Sequence, residues 1–396
     1  MVEQQTRTRL KAADLSLYPK GEERRMEPIG LYLHTPFCVS KCPYCDFYSA
    51  PPSSDAALEA YTAALLTAMD DWAARYPLTA DTLYFGGGTP SLLGGERLSA
   101  LIRRADDRFG LLSHSPEITL EANPADNLAD TLASFAAAGG NRLSLGMQSV
   151  HPAELAVLGR RHVPADVTRT IADAHKAGIT NISLDMMLGI SGQTTATALE
   201  SVERAAEWGA THISAYLLKI EPDTPYGACP PPLPDEDAAA ELYLAVMERL
   251  DALGYRQYEI SNAALPGCES RHNLKYWDSR PYLGLGPAAS SCLDGRRFTY
   301  PRDTAYFVGG GAPVDDPVTD TPVGSAEEYA LLRLRLTAGL RAADFTARYG
   351  TPIPAAWRER AAALPDDLVT VGEDGIRLTR EGFLLSNTLT SHILFE

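Results

Sequence analysis

The sequence predicts an α/β protein: six strand–helix units in a parallel sheet or partial barrel, then a smaller helical domain with a hairpin. Three observations predict it. Short β runs alternate with helical segments six times between Gly30 and about Leu218, the pattern of repeated βαβ units. Several of the helical segments stop at a glycine (Gly110, Gly139, Gly178, Gly209), a common helix terminus. Past the proline-rich run Cys229-Pro230-Pro231-Pro232-Leu233-Pro234 the alternation breaks down, and the tail reads as helices around one short β pair.

The strands are expected at Gly30–His34, Thr82–Phe85, Glu117–Glu121, Arg142–Gly146, Asn181–Met187 and His212–Leu218. The helices between and after them are expected at Ala56–Arg75, Glu96–Phe109, Asp126–Ala138, Pro152–Leu158, Ala165–Ala177 and Ala196–Trp208. A further helix spans Asp235–Leu253, and a mixed, turn-rich stretch runs to about Asp320. Ser325-Ala326-Glu327-Glu328 reads as a capping box, opening an apolar stripe of Leu331, Leu332, Leu334 and Leu336. Leu368–Val371 and Ile376–Leu378 form the β pair of a winged-helix-like domain. The chain thus divides into a polar lead-in (1–28), a core barrel (29–230), an extension (231–322) and the C-terminal domain (323–396).

Bulk composition narrows the function. The chain has 396 residues, 45% hydrophobic and 22% charged, which is ordinary for a globular protein large enough to need no disulfides. A net charge of −16 argues against nucleic acid as a partner and against an anionic membrane surface. Three of the six cysteines cluster and the other three (Cys229, Cys268, Cys292) are scattered, so no disulfide framework is expected and the compartment is reducing. The absence of a long apolar run makes cytoplasm the expected location.

The cluster is Cys38, Cys42 and Cys45, spaced C-x3-C-x2-C, with no fourth cysteine nearby. Thiolates bind soft metals and iron–sulfur clusters. Three ligands for a four-iron cluster leave one iron open, which makes a reaction site rather than an electron carrier. A structural zinc site with His34 or Asp46 as fourth ligand is the competing assignment, although zinc cysteines usually come as two separated pairs. In parallel α/β folds the site lies just beyond the strand ends. The cysteines follow the first predicted strand, Gly86-Gly87-Gly88-Thr89-Pro90 the second, and Gln148 the fourth; Glu121 ends the third, and Asp185 lies in the fifth.

This combination resembles the radical S-adenosylmethionine (SAM) superfamily. The resemblance implies a partial (β/α)6 TIM-type radical SAM barrel whose three thiolates hold a [4Fe–4S] cluster. SAM would chelate the open iron and be cleaved on reduction to a 5′-deoxyadenosyl radical. By position in the pattern, Tyr32, Tyr44, Gly87, Gly88, Thr89, Glu121, Gln148, Arg160 and Asp185 are the implied SAM contacts, with Arg161 as a neighbour that could exchange roles with Arg160. Within the superfamily the chain is similar to the coproporphyrinogen-oxidase-like branch, and there to its haem chaperones, from about Gly30 to the C-terminus. The supporting stretches include His34-Thr35-Pro36-Phe37-Cys38, Tyr258-Glu259-Ile260-Ser261-Asn262 and the HNxxYW run His272-Asn273-Leu274-Lys275-Tyr276-Trp277. Thr35 and Ile190-Ser191 are small departures from the chaperone pattern. The HNxxYW resemblance implies haem contact by His272, Asn273, Tyr276 and Trp277, with Cys268 as a rival axial ligand. The oxidases carry a further cysteine two positions after the last ligand; here that position is Phe47.

Two functions follow from the resemblance. One is a haem chaperone with haem as cargo, haem-accepting apoproteins (respiratory, membrane-associated ones included) and a reductant for the cluster as partners, and no nucleic acid. The other is an oxygen-independent coproporphyrinogen III oxidase, which decarboxylates propionates through the adenosyl radical. A zinc-stabilised or plain redox α/β protein is the third, outside the resemblance.

Overall fold

A computed structural model describes residues 27–124, 126–316 and 321–396. All but the last two residues of the expected lead-in (1–28) lie outside it. Six parallel strands form in chain order: β1 (Ile29–Thr35), β2 (Ala80–Gly87), β3 (Glu117–Ala122), β4 (Arg142–Gln148), β5 (Asn181–Leu188) and β6 (His212–Leu217). Helices α1 (Asp55–Arg75), α2 (Gly94–Phe109), α3 (Ala129–Ala137), α4 (Pro152–Val157), α5 (Pro164–Lys176) and α6 (Thr195–Glu207) lie between and after them. The third helix starts three residues later than expected; Asp126 lies before it, and Ala125 is not described.

The strands alternate strictly. Leu31, Leu33, Leu83, Phe85, Ile118, Leu120, Leu143 and Leu145 are fully buried and form the layer beneath the helices. Their neighbours point the other way and make a polar interior: Tyr84 bonds Glu121, Ser144 bonds Asp185 and Ser183 bonds His212 across adjacent strands.

The stretch expected to be mixed and turn-rich extends both edges of this sheet. After a single turn α7 (Pro225–Ala228) and α8 (Glu236–Ala252) come β7 (Arg256–Gln257), β8 (Asn262–Ala264), α9 (Arg271–Trp277), β9 (Tyr282–Leu285), β10 (Ser290–Leu293), β11 (Arg296–Thr299), α10 (Thr304–Val308) and β12 (Val314–Asp315). The order is β12-β11-β10-β9-β1-β2-β3-β4-β5-β6-β8-β7, with β9 parallel to β1 and β8 antiparallel to β6. Strands of two to four residues carry too little periodicity to be read from sequence.

Helix α9 closes the barrel floor. Its first amides, Arg271 N and His272 N, donate to the Glu117 carboxylate at 3.0 and 2.9 Å, the favoured charge at a helix N-terminus. Lys275 Nζ, nearly inaccessible, reaches Asp81 at 2.7 Å and the Pro28 carbonyl at 2.8 Å. All of these anchors lie at strand beginnings.

Residues from Tyr329 to Leu394 enclose a separate apolar core. It comprises α11 (Ala326–Arg333), β13 (Leu340–Arg341), α12 (Ala342–Tyr349), α13 (Ala355–Ala362), β14 (Val369–Gly372), β15 (Gly375–Leu378), α14 (Arg380–Leu384) and α15 (Ser386–Phe395), with the antiparallel order β13-β15-β14. The leucine stripe requires correction. Helix α11 buries Tyr329, Ala330 and Arg333, Leu331 is 37% exposed, and Leu334 and Leu336 lie past its end. Ser325 caps the helix, but the Glu328 carboxylate accepts from Gly324 N at 2.6 Å and pairs with Arg297 at 2.5 Å instead of completing the box. The partly buried ion pairs Glu328–Arg297 and Arg333–Asp278 dock this domain on the extension.

Removing the Glu117 carboxylate leaves the buried His272 amide and the part-buried Arg271 amide without acceptors. Glu117→Ala is expected to cost roughly 2–4 kcal/mol in urea unfolding. A loss below about 0.5 kcal/mol would show that the floor does not depend on this cap.

Candidate functional site

The cysteines lie on a loop closed at its base by backbone bonds, Cys38 N to Ala50 O at 3.1 Å and Ala50 N to Pro36 O at 3.0 Å. It is held from three further sides. His34 Nε2 meets the Tyr48 carbonyl at 3.0 Å, Arg302 reaches the Asp46 carbonyl, and Tyr226 N donates to Pro43 O at 3.0 Å. Within it, Cys45 N donates to Cys42 O at 3.1 Å.

The glycine run after β2 packs on this loop. Gly88 N donates to Thr35 O and Thr89 N to Phe37 O, both at 2.7 Å, and Cys38 Sγ lies 3.2 Å from Thr89 Oγ1. A Cβ at Gly88 would fall 2.4 Å from the Phe37 carbonyl oxygen. One at Gly87, whose φ is +104°, would fall 2.7 Å from the His34 ring. The close approach that demands glycine is therefore to the chain itself. Turned this way, Gly87 N donates to Glu121 Oε2 at 3.2 Å.

These elements surround a cavity of about 350 Å³ at the C-terminal strand ends. Around it stand Cys38, Cys42, Tyr44, Cys45, Gly87, Gly88, Thr89, Glu121, Gln148, Arg160 and Asp185, so eleven of the twelve expected cluster and SAM residues come together. Tyr32 is the exception and a correction: its ring lies beneath Gly86 and its hydroxyl bonds His34 Nδ1 at 3.0 Å. Of the two arginines, Arg160 points inward, to the Gly146 carbonyl at 2.6 Å and Cys42 Sγ at 3.7 Å. Arg161 is 46% exposed and lies 3.8 Å from Asp126. Ser144, Met187 and Tyr216 also line the cavity and were not singled out in the sequence, although they follow from period-two alternation with Gly146, Asp185 and their strand neighbours.

The cavity's electrostatics suit a cation. Burial raises Glu121 to about 7; its bonds to Tyr84 Oη and Gly87 N pull it down, and Asp185 pushes it up. Asp185 is raised to about 6, again by burial, against the bonds from Ser214 and Ser144 and the charge of Arg142. Gln148 sits at φ 65° with a buried Oε1 lacking any partner. Two desolvated carboxyls and an orphaned acceptor match the amino and sulfonium charges of SAM, and three thiols on one wall without a fourth match a cluster with one open iron. Zinc fits less well. His34 spends both nitrogens on Tyr32 and Tyr48, Asp46 pairs with Arg302, and among the described residues no three His, Cys, Asp or Glu converge on one ion. A cubane takes one thiolate per iron and so needs a wider triangle than bonds of about 2.3 Å to a single zinc allow.

The HNxxYW segment lies elsewhere. His272 is buried in the barrel, its Nδ1 2.8 Å from Thr82 Oγ1 and its Nε2 2.8 Å from Tyr276 Oη, and its ring is stacked on Tyr84. Burial, Lys275 and Arg142 lower it to about 3. Tyr276 packs edge-on against Tyr282, Trp277 lies under the Arg335 guanidinium, and Asn273 N meets the Ser270 cap. The haem contact that the resemblance implies for His272 is corrected here: the ring is buried and both its nitrogens have protein partners. Cys268, the rival, is half-buried near Tyr255.

Comparison with known proteins agrees with this architecture. The radical SAM superfamily model matches residues 32–205, and the HemN C-terminal domain model matches 325–385. The Heme chaperone HemW of Mycobacterium tuberculosis is 37% identical over 383 residues, covering 93% of this chain and 95% of its own. That of Escherichia coli is 35% identical, covering 94% and 100%.

The chain belongs to the HemW family.

The HemW relative from Bacillus subtilis is 33% identical over 92% of the chain and 99% of its own. The solved structure of coproporphyrinogen III oxidase HemN from Escherichia coli superposes with a TM-score of 0.79 over 96% of this chain and 92% of its own, at 20% identity, which shows the shared fold. Membership of the radical SAM superfamily implies SAM and a [4Fe–4S] cluster for this HemW-family chain. No described helix is long and apolar enough to cross a membrane.

Glu121 and Asp185 hold protons in the folded chain to a higher pH than when unfolded. Their contribution to stability is therefore greatest below about pH 4 and is lost as pH rises through about 6 and 7. Between pH 5 and pH 8 the unfolding free energy of the ligand-free protein should fall relative to Glu121→Gln by on the order of 2 kcal/mol. A pH-independent difference between the two would place the Glu121 pKa in the ordinary carboxylate range.

Proposed function

We propose that the chain is a haem chaperone: it binds haem, carries a SAM-ligated [4Fe–4S] cluster and passes haem to acceptor proteins. The observation that carries this reading is the 37% identity over nearly full length to a protein named as a heme chaperone. Phe47 supports it. The residue is 60% exposed at the cavity rim, where the oxidase pattern has another cysteine. The oxidase reading has the HemN fold in its favour and Phe47 against it.

In this reading Cys38, Cys42 and Cys45 ligate the cluster. When bound, cluster and SAM supply an electron and a cleavable sulfonium. The chain does the rest. Arg160 stands beside Cys42 and offsets thiolate charge. Glu121 and Asp185 accept the cationic groups of SAM, Gln148 and the Gly87–Thr89 backbone orient it, and Tyr44 closes the side facing Cys42 and Arg160. Haem is cargo; haem-accepting apoproteins and a cluster reductant are the partners, and the cytoplasm is the place of action.

Anaerobic reconstitution with iron and sulfide, read by visible and EPR spectra, is expected to give a cluster signal that shifts on adding SAM. Cys42→Ala should abolish the signal, and Asp185→Asn should weaken SAM binding about tenfold. A full-strength, SAM-responsive signal in Cys42→Ala would remove the triad assignment. Incubation with coproporphyrinogen III, SAM and reductant is expected to yield no protoporphyrinogen, whereas haem-loaded protein should convert an apo-haemoprotein to its holo form. Protoporphyrinogen formation would make the chain an oxidase.

A further inference from the structure

We infer that the cavity between α1 and the β10–β12 edge is the haem site, taking the macrocycle in an apolar slot and its propionates at Arg75 and Arg296; this rests on the haem-chaperone reading. The cavity is about 620 Å³, against about 350 Å³ at the cysteine site, and the two share no residue. It falls within the range of about 300–1,000 Å³ that takes cofactor-sized ligands.

The slot is shaped for a flat ligand. One wall is the face of α1 carrying Ala60, Ala63, Ala64, Thr67 and Ala68, at the three- and four-residue spacing that keeps them on one side. Side chains this short leave room for a ligand to lie close along the helix. Opposite stand Phe298, Phe307 and Val308, the last 37% exposed. Trp72 lies in the slot, stacked on Phe298 at 5.3 Å and 6°. Trp72 also stacks on Tyr76 at 5.3 Å, and Trp72, Phe298 and Phe307 are all buried, so these rings form the apolar base of the slot, against which a macrocycle would meet ring edges and gain chiefly by burial.

The rim carries the charges that carboxylates need. Arg75 ends α1 and is exposed. Arg296 pairs with Asp315 at 2.8 Å in a half-exposed contact that is cheap to open. Asp71 and Asp315 are the opposing charges on the same rim; Asp315 must release Arg296, and both would repel a misplaced propionate. Among the described residues no His, Cys or Met lines the slot, and the phenols of Tyr76 and Tyr300 are the only side chains there of a haem-iron-ligating type. Tyr300 already accepts from Trp72 Nε1 at 3.2 Å. Haem would therefore be held by its faces and propionates, with an iron that an acceptor's stronger ligand can capture.

The test is haem titration of the full chain, followed by Soret absorbance and tryptophan fluorescence. Haem is expected to quench the wild type, with Trp72→Phe losing the largest share of that quenching among the four tryptophans. Ala64→Trp fills the slot and should weaken binding at least tenfold. Arg75→Glu lies on the exposed rim, where folding is not at stake, and should weaken it about fivefold. All variants should keep the SAM-responsive cluster spectrum. Wild-type affinity in Arg75→Glu together with unchanged quenching in Trp72→Phe overturns the slot, whatever the fate of Ala64→Trp. Failure of the wild type to bind haem overturns the chaperone reading itself, and the slot with it.

Discussion

Two backbone hydrogen bonds carry the site: Gly88 N to Thr35 O and Thr89 N to Phe37 O. They continue the parallel pairing of β1 and β2 past the last residue of β2. The cysteine loop is thereby fastened to the glycine run before any metal is considered. Thr89 then stands against Cys38, and Gly87 is turned so that its amide reaches Glu121. A side chain at Gly88 would collide with the Phe37 carbonyl and open the seam. Cluster loop and SAM wall are one unit, and neither can be moved without the other.

Beneath that unit the barrel interior is unusually rich in titratable groups. Arg142 is buried, with its Nε unpartnered, and its charge acts on several neighbours at once. It helps keep His212 and His272 neutral near the floor and favours ionisation of Glu121 and Asp185 nearer the mouth. Burial works against it at the carboxyls, which is why they lie near neutrality instead of at 4. Desolvated charge is costly for the fold, and it sits where a cationic ligand would repay it.

The repeat of short strands and helices was legible because each parallel unit repeats one pattern, and the strand-end rule brought Glu121, Gln148 and Asp185 to one cavity. Other features were hidden for physical reasons. Strands such as Arg256–Gln257 and Val314–Asp315 are too short to show a period, so the edges of the sheet looked like loop. Of the leucines after Ser325 expected to form one stripe, Leu334 and Leu336 are buried but lie past the helix, and within it ion pairs to the extension draw Glu328 and Arg333 inward. Tyr32 faces the barrel interior, but its hydroxyl is taken up by His34 and it does not line the cavity. Ser144 and Tyr216 carry no motif and could be found only by counting in twos.

The HNxxYW segment shows why a motif can be functional without touching a ligand. The four-residue spacing of His272 and Tyr276 puts both side chains on one helical face, but spacing does not say what that face meets. Here it meets the barrel floor, where each ring nitrogen of His272 has its partner. The same helix leads directly into β9, and Tyr276 packs on Tyr282 at the start of that strand. Strand β9 pairs with β10, β10 with β11, and Leu293 and Phe298 of those strands wall the larger cavity. Disturbing the plug therefore shifts the edge of the sheet that bounds the slot. A variant of His272 that binds haem poorly would be explained by this connection, provided its stability falls as well, and direct iron ligation need not be invoked.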